Sequence, residues 1–92
     1  MQQDNAETLA QDVVIWLSGQ EDLLLVFMNS TGGDAESIRK GMTDPHFLGA
    51  VLDFLMMDDA WVVAYCDAAG LPYDRPGRAR AAIPGGSDMH WT

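Results

Sequence analysis

Apolar side chains return every three to four positions along most of this chain, and that regularity narrows the possible folds more than any other feature. Leu9, Val13, Trp16 and Leu17 fall at i, i+4, i+7 and i+8, a single stripe on a helix. Phe47, Leu48, Val51, Leu52, Phe54 and Leu55 line one wide face of a second such segment. Between them Leu23–Met28 is apolar on every side. A strand could share that composition, but the leucines, the preceding Glu21-Asp22 and the following Gly32-Gly33 favour a buried helix needing cover on both sides. The spacing therefore predicts an all-α chain, a compact bundle of about five to six helices.

Local punctuation divides the helices. Asn5 is expected to cap the first and Gly19 to stop it, and Ser18 with Glu21 has the spacing of a capping box for the second. Asp34 opens a short stretch to about Met42, with Asp34 and Glu36 first and Arg39 and Lys40 last, the order a helix dipole favours. Asp44-Pro45 pairs a capping acid with proline at the first helical position. Asp58-Asp59 interrupts the apolar pattern and can cap a helix over 60–69 carrying Trp61, Val62, Tyr65 and Cys66, with Gly70 as its stop. A last short helix is expected over 76–82, with Pro76 near its start and Pro84 beyond its end.

An offset of 38 residues lays much of the chain on itself. Leu9, Val13, Trp16 and Leu17 fall on Phe47, Val51, Phe54 and Leu55; Glu21 falls on Asp59, Phe27 on Tyr65 and Gly32 on Gly70. Matching the acidic break and the glycine in one register favours two tandem three-helix units, about 6–42 and 44–82, over a chance likeness of amphipathic helices. Two units are too few for a solenoid, so they are expected to close into one domain, 1–83, followed by a flexible tail, 84–92.

Charge sets the next limits. The chain of 92 residues carries 14 acids against five Lys and Arg, a net charge of −9. Residues 1–71 hold twelve acids against Arg39 and Lys40, while residues 72–92 hold Arg75, Arg78 and Arg80 against Asp74 and Asp88. So acidic a surface repels phosphate, which argues against nucleic acid and against anionic membranes as partners. No apolar run is long enough to span a bilayer. The lone Cys66 forms no intramolecular disulfide, and Met1–Asp4 lacks the basic and apolar regions of a secretion signal, so a cytoplasmic location is expected.

The segment Phe47-Leu48-Gly49-Ala50-Val51-Leu52-Asp53-Phe54-Leu55, the pair Asp58-Asp59 and the run Ala68-Ala69-Gly70-Leu71-Pro72 resemble a family of short alphaproteobacterial proteins, domain of unknown function 3572. The likeness runs from about Leu9 to Ile83. It implies a small helical bacterial protein and brings no catalytic residues with it. After Gly32 the chain departs from the family pattern: Gly33-Asp34-Ala35 stand where an apolar residue and Asp-Pro are usual.

A search for chemistry returns little. Asp58 and Asp59 are adjacent, so their side chains diverge on a helix and serve capping or solvation better than proton sharing. Asp53 lies between Leu52 and Phe54 and is expected to face solvent. His46, His90 and Cys66 show no metal-ligand spacing, and Cys66 in an apolar helix reads as a small hydrophobe. No catalytic residue, cofactor or metal ligand is assigned. Arg75, Arg78 and Arg80 suit a helix C-terminus and the chain's own acids, yet could also meet an acidic partner. Met28, Met56 and Met57 fill gaps in a core or form an adaptable docking face.

Two readings follow. One is a non-enzymatic acidic interaction module that meets a protein partner, or a second copy of itself, through Met28, Met56, Met57, Arg75 and Arg78. The other is a small-molecule-binding or enzymatic domain with a pocket between the two units, which convergence of His46, Asp53 or Cys66 on a cavity would favour. An acidic mimic of DNA is permitted by charge alone and would need its acids in a spaced stripe.

Overall fold

The computed structural model describes residues 1–84, and among them every regular element is helical. The order is α1 (Gln3–Ser18), α2 (Glu21–Thr31), α3 (Ala35–Gly41), α4 (Pro45–Leu55), α5 (Asp59–Ala69) and α6 (Arg75–Ala82). The tail expected over 84–92, with His90 and Trp91, lies outside the described residues apart from Pro84.

α1 and α4 pack on each other and α6 packs across both; α2 leans on α1, and α3 on the start of α4. The stripes account for this arrangement. α1 buries Ala6, Leu9, Ala10, Val13, Val14 and Leu17, and α4 buries Leu48, Val51, Leu52, Phe54 and Leu55. α6 closes the core with Ala79, and Ile83 follows it inward. Aromatic rings tie the remaining helices in. Phe27 of α2 meets Phe47 and Phe54 edge-on, Phe54 stacks on Trp61 of α5 with centroids 4.9 Å apart, and Trp16 of α1 meets Tyr65 of α5 edge-on.

Several caps form where the acids stand. Asp34, Asp44 and Asp58 each accept a backbone N–H from the first turn they precede: Ser37, His46 and Ala60. The bond from Ser37 holds the Asp34 carboxyl below its ordinary value. So α3 is capped by Asp34. Gly32 and Gly70 both end their helices at φ +71°, in the left-handed region. After Gly70 the Leu71 N–H reaches back to the Cys66 carbonyl and the leucine leans on the core. Gly33, which follows Gly32, has no side chain to do the same.

Three local expectations are corrected. α1 starts at Gln3 with Gln2 at its cap, which puts Asn5 inside the first turn. Ser18 remains in α1, where its hydroxyl donates to the Ile15 carbonyl at 2.6 Å, so the Ser18–Glu21 capping box does not form and Gln20 stands at the cap of α2. The second unit does not cover α2 on both sides, so the cover expected from the second unit or from a second chain is not supplied within this chain. Only Phe27 is fully buried, while Leu25 and Val26 are 60% and 44% exposed. The helix lies at the edge of the bundle, with its opposite face on α1 and the α4 aromatics.

The turn between α3 and α4 is unusually close. The Phe47 ring lies against the backbone of buried Gly41, where a Cβ would stand 2.4 Å from the ring Cγ. Only glycine leaves that space.

Candidate functional site

α1 and α5 enclose a cleft of about 190 Å³ lined by Asp12, Ile15, Trp16, Tyr65, Ala68 and Ala69. Asp12, Ile15 and Trp16 share a face of α1 because they sit three and four positions apart. Ile15 is 63% exposed at its rim. Tyr65 is buried, and its hydroxyl emerges to donate to Asp12 Oδ2 at 2.7 Å. Burial, and then the Asp12 carboxylate, push the Tyr65 hydroxyl far above its ordinary value, so at neutral pH it stays a donor. Ala68 and Ala69 keep the α5 side low. The result is a slot of mixed polar and apolar lining with a carboxylate at one side, on a chain of net charge −9.

A second cleft, of about 360 Å³, lies between the start of α1 and α6 and is lined by Met1, Asn5, Leu9, Arg75 and Arg78. A third, of about 400 Å³, is bounded by Met56, Asp59, Val62, Tyr73, Asp74, Pro76 and Gly77. The five residues singled out in the sequence are therefore not brought together. Arg75 and Arg78 share the α1–α6 cleft, Met56 lines the α5–α6 one, Met57 is exposed in the turn after α4, and Met28 is half-buried on α2.

The residues with catalytic potential occupy separate environments. His46 is exposed in the first turn of α4. Cys66 is buried; desolvation, helped by the Asp67 and Asp74 carboxylates and opposed by Arg75, raises its thiol above the ordinary value and disfavours the thiolate. Asp53 does not simply face solvent. Arg80 Nε donates to its Oδ1 at 2.8 Å, and Arg80 also donates to the Ile83 carbonyl. The guanidinium reaches Asp53 across Gly49, where even a Cβ would stand only 3.3 Å from it. None of the three lines any of these clefts. Among the described residues no group of three His, Cys, Asp or Glu gathers as a metal site. No helix there is long and apolar enough to cross a membrane.

The family model described as protein of unknown function (DUF3572) matches residues 3–86, nearly the whole chain. The chain belongs to the DUF3572 family. Neither the curated proteins nor the solved structures yield a match. In this DUF3572 chain residues 47–55 lie within α4, and most of them pack the core. Sequence reading missed Asp12 and Tyr65 as a pair. They stand 53 positions apart, and nothing local joins them. The available signal was weak: a tyrosine in an apolar helix whose hydroxyl needs a polar partner.

Proposed function

We propose that this DUF3572 protein is a small acidic interaction module that receives a basic, amphipathic segment of a protein partner in the α1–α5 cleft. The observation that carries the reading is the slot itself. Exposed Ile15 and half-buried Trp16 stand beside the Asp12 carboxylate, over a floor made by Tyr65 and two alanines. The slot is smaller than the ~300–1,000 Å³ of small-molecule pockets. It suits one long side chain with an apolar stem and a cationic head, such as Lys or Arg, whose stem would lie over Trp16. The net charge of −9 would speed the approach of such a segment and disfavour acidic competitors. Glu21 and Asp22 begin α2 beyond the end of α1 and extend the acidic approach; Leu25 and Val26 on the outer face of α2 offer further apolar contact.

On this reading the protein is non-enzymatic and works in the cytoplasm, where a lone thiol stays reduced. It is built as two tandem units. In support, α2 (Glu21–Thr31) and α5 (Asp59–Ala69) start and stop 38 residues apart, and both end on a left-handed glycine. On that reading the slot lies at the seam of the units.

The test uses synthetic helical peptides presented to the full chain: one rich in Lys and Leu, and a twin with Glu in place of Lys. The basic peptide should shift the Trp16 indole N–H resonance and the backbone resonances of Asp12 and Ala68. Ile15→Ser and Asp12→Asn, each checked for unchanged helicity, should weaken it severalfold. Equal binding of the acidic twin, or burial of Ile15 by self-association without peptide, would overturn the reading.

A further inference from the structure

The cleft between α1 and α6 has a different chemistry. We propose that it is a binding site for a small carboxylate carrying an apolar tail, a role independent of peptide docking in the α1–α5 slot.

Basic residues are scarce in this chain, five against 14 acids, yet three of them stand on α6. Their surroundings differ. Arg80 turns inward to Asp53, with its side chain only 12% exposed. Arg78 faces the cleft and makes one long contact with Asp74, at 3.9 Å, between two well-exposed side chains, the kind of pair that water screens to little net value. Arg75 is half-buried beside it, and its guanidinium makes no hydrogen bond or ion pair with any described residue. A half-buried arginine whose guanidinium has no carboxylate on it is an odd arrangement where acids outnumber bases so heavily, and an anion in the cleft would complete it.

The rest of the lining narrows the ligand. The Asn5 side-chain amide supplies a further donor, while Leu9 and Met1 supply apolar wall. The volume, about 360 Å³, falls at the lower end of the ~300–1,000 Å³ of small-ligand sites. Guanidinium forks match the plane of a carboxylate with two parallel N–H donors. A phosphate dianion carries twice the charge into the repulsive field of a −9 protein and makes no use of Leu9, so the monoanion with an apolar tail fits better.

The experiment is an NMR titration of the full ¹⁵N-labelled chain with hexanoate, following the Arg75 and Arg78 Nε–H, the Asn5 side-chain amide and the Leu9 backbone amide. All four should saturate with one dissociation constant. Arg75→Gln should weaken binding at least tenfold, and so should Arg78→Gln as an independent variant; Arg39→Gln, away from the cleft, should leave it unchanged. Acetate, which lacks the tail, and 1-hexanol, which lacks the charge, should both bind far more weakly. Hexanol matching hexanoate, acetate or inorganic phosphate matching it, or full affinity in a folded Arg75→Gln chain would each overturn the proposal. A tripeptide ending in a free leucine carboxylate separates the sources. Tighter binding than hexanoate, lost in its amide, assigns the carboxylate to a peptide terminus; weaker binding assigns it to a free acid.

Discussion

Gly41→Ala tests the packing of α3 against α4 through a change of sign. Glycine within a helix costs roughly 0.5–1 kcal/mol relative to alanine, so at an open site the substitution would stabilise the fold. Here the new methyl would stand 2.4, 2.6 and 2.8 Å from three carbons of the Phe47 ring. Ordinary contact begins near 3.4 Å, so ring or backbone must give way by about 1 Å. Overpacking of that kind costs about 1–3 kcal/mol, which offsets or outweighs the helical gain and leaves a net loss of up to about 2.5 kcal/mol. In a Phe47→Ala background the obstruction is gone, and Gly41→Ala should become neutral or stabilising by up to about 0.5–1 kcal/mol. Phe47→Ala itself should cost less than the ~3–5 kcal/mol of a fully buried ring, because Phe47 is half-buried. The cycle is measured by urea unfolding followed by tryptophan fluorescence, with the coupling read as the departure from additivity. A stabilised Gly41→Ala single variant, or additivity within ~0.3 kcal/mol, would show that the ring does not lie on Gly41.

The two leucine environments give a second prediction. Leu17→Ala, at a fully buried position, should cost about 2–5 kcal/mol, whereas Leu25→Ala, 60% exposed, should fall within about 0.5 kcal/mol of the parent in the same unfolding assay; equal losses would mean that the outer face of α2 has been assigned wrongly. Alkaline titration gives a third. Burial and the Asp12 bond raise the Tyr65 hydroxyl in the fold, so the unfolded chain releases that proton first, and stability should fall as pH rises above ~10, the unfolded value. Tyr65→Phe should make the decline shallower, and ultraviolet difference spectra should show Tyr65 ionising only as the chain unfolds. Ionisation of both tyrosines near pH 10 in a chain that keeps its helicity would contradict the buried Tyr65–Asp12 pair.

Helix number, order and most helix ends were legible in the sequence because they depend on residues within four positions of one another. The stripe of Leu9, Val13 and Leu17, the capping acids Asp34, Asp44 and Asp58, and the stops Gly32 and Gly70 act through their immediate neighbours. Local signals failed where two competed. Ser18 had the spacing of a cap, but its hydroxyl bonded back into α1 at the Ile15 carbonyl and the next helix started without it. The candidate site was much less visible. Which side of Leu23–Met28 meets solvent depends on α2 lying at the edge of the bundle, and a wholly apolar helix carries no periodicity to mark that side. The pairing of Asp12 with Tyr65 and of Asp53 with Arg80, and the gathering of Arg75 and Arg78 with Leu9, join residues 27 to 69 positions apart. Hydrogen bonds and clefts of that kind arise only after the helices have packed, because burial and proximity belong to the assembled bundle and to no single segment of it.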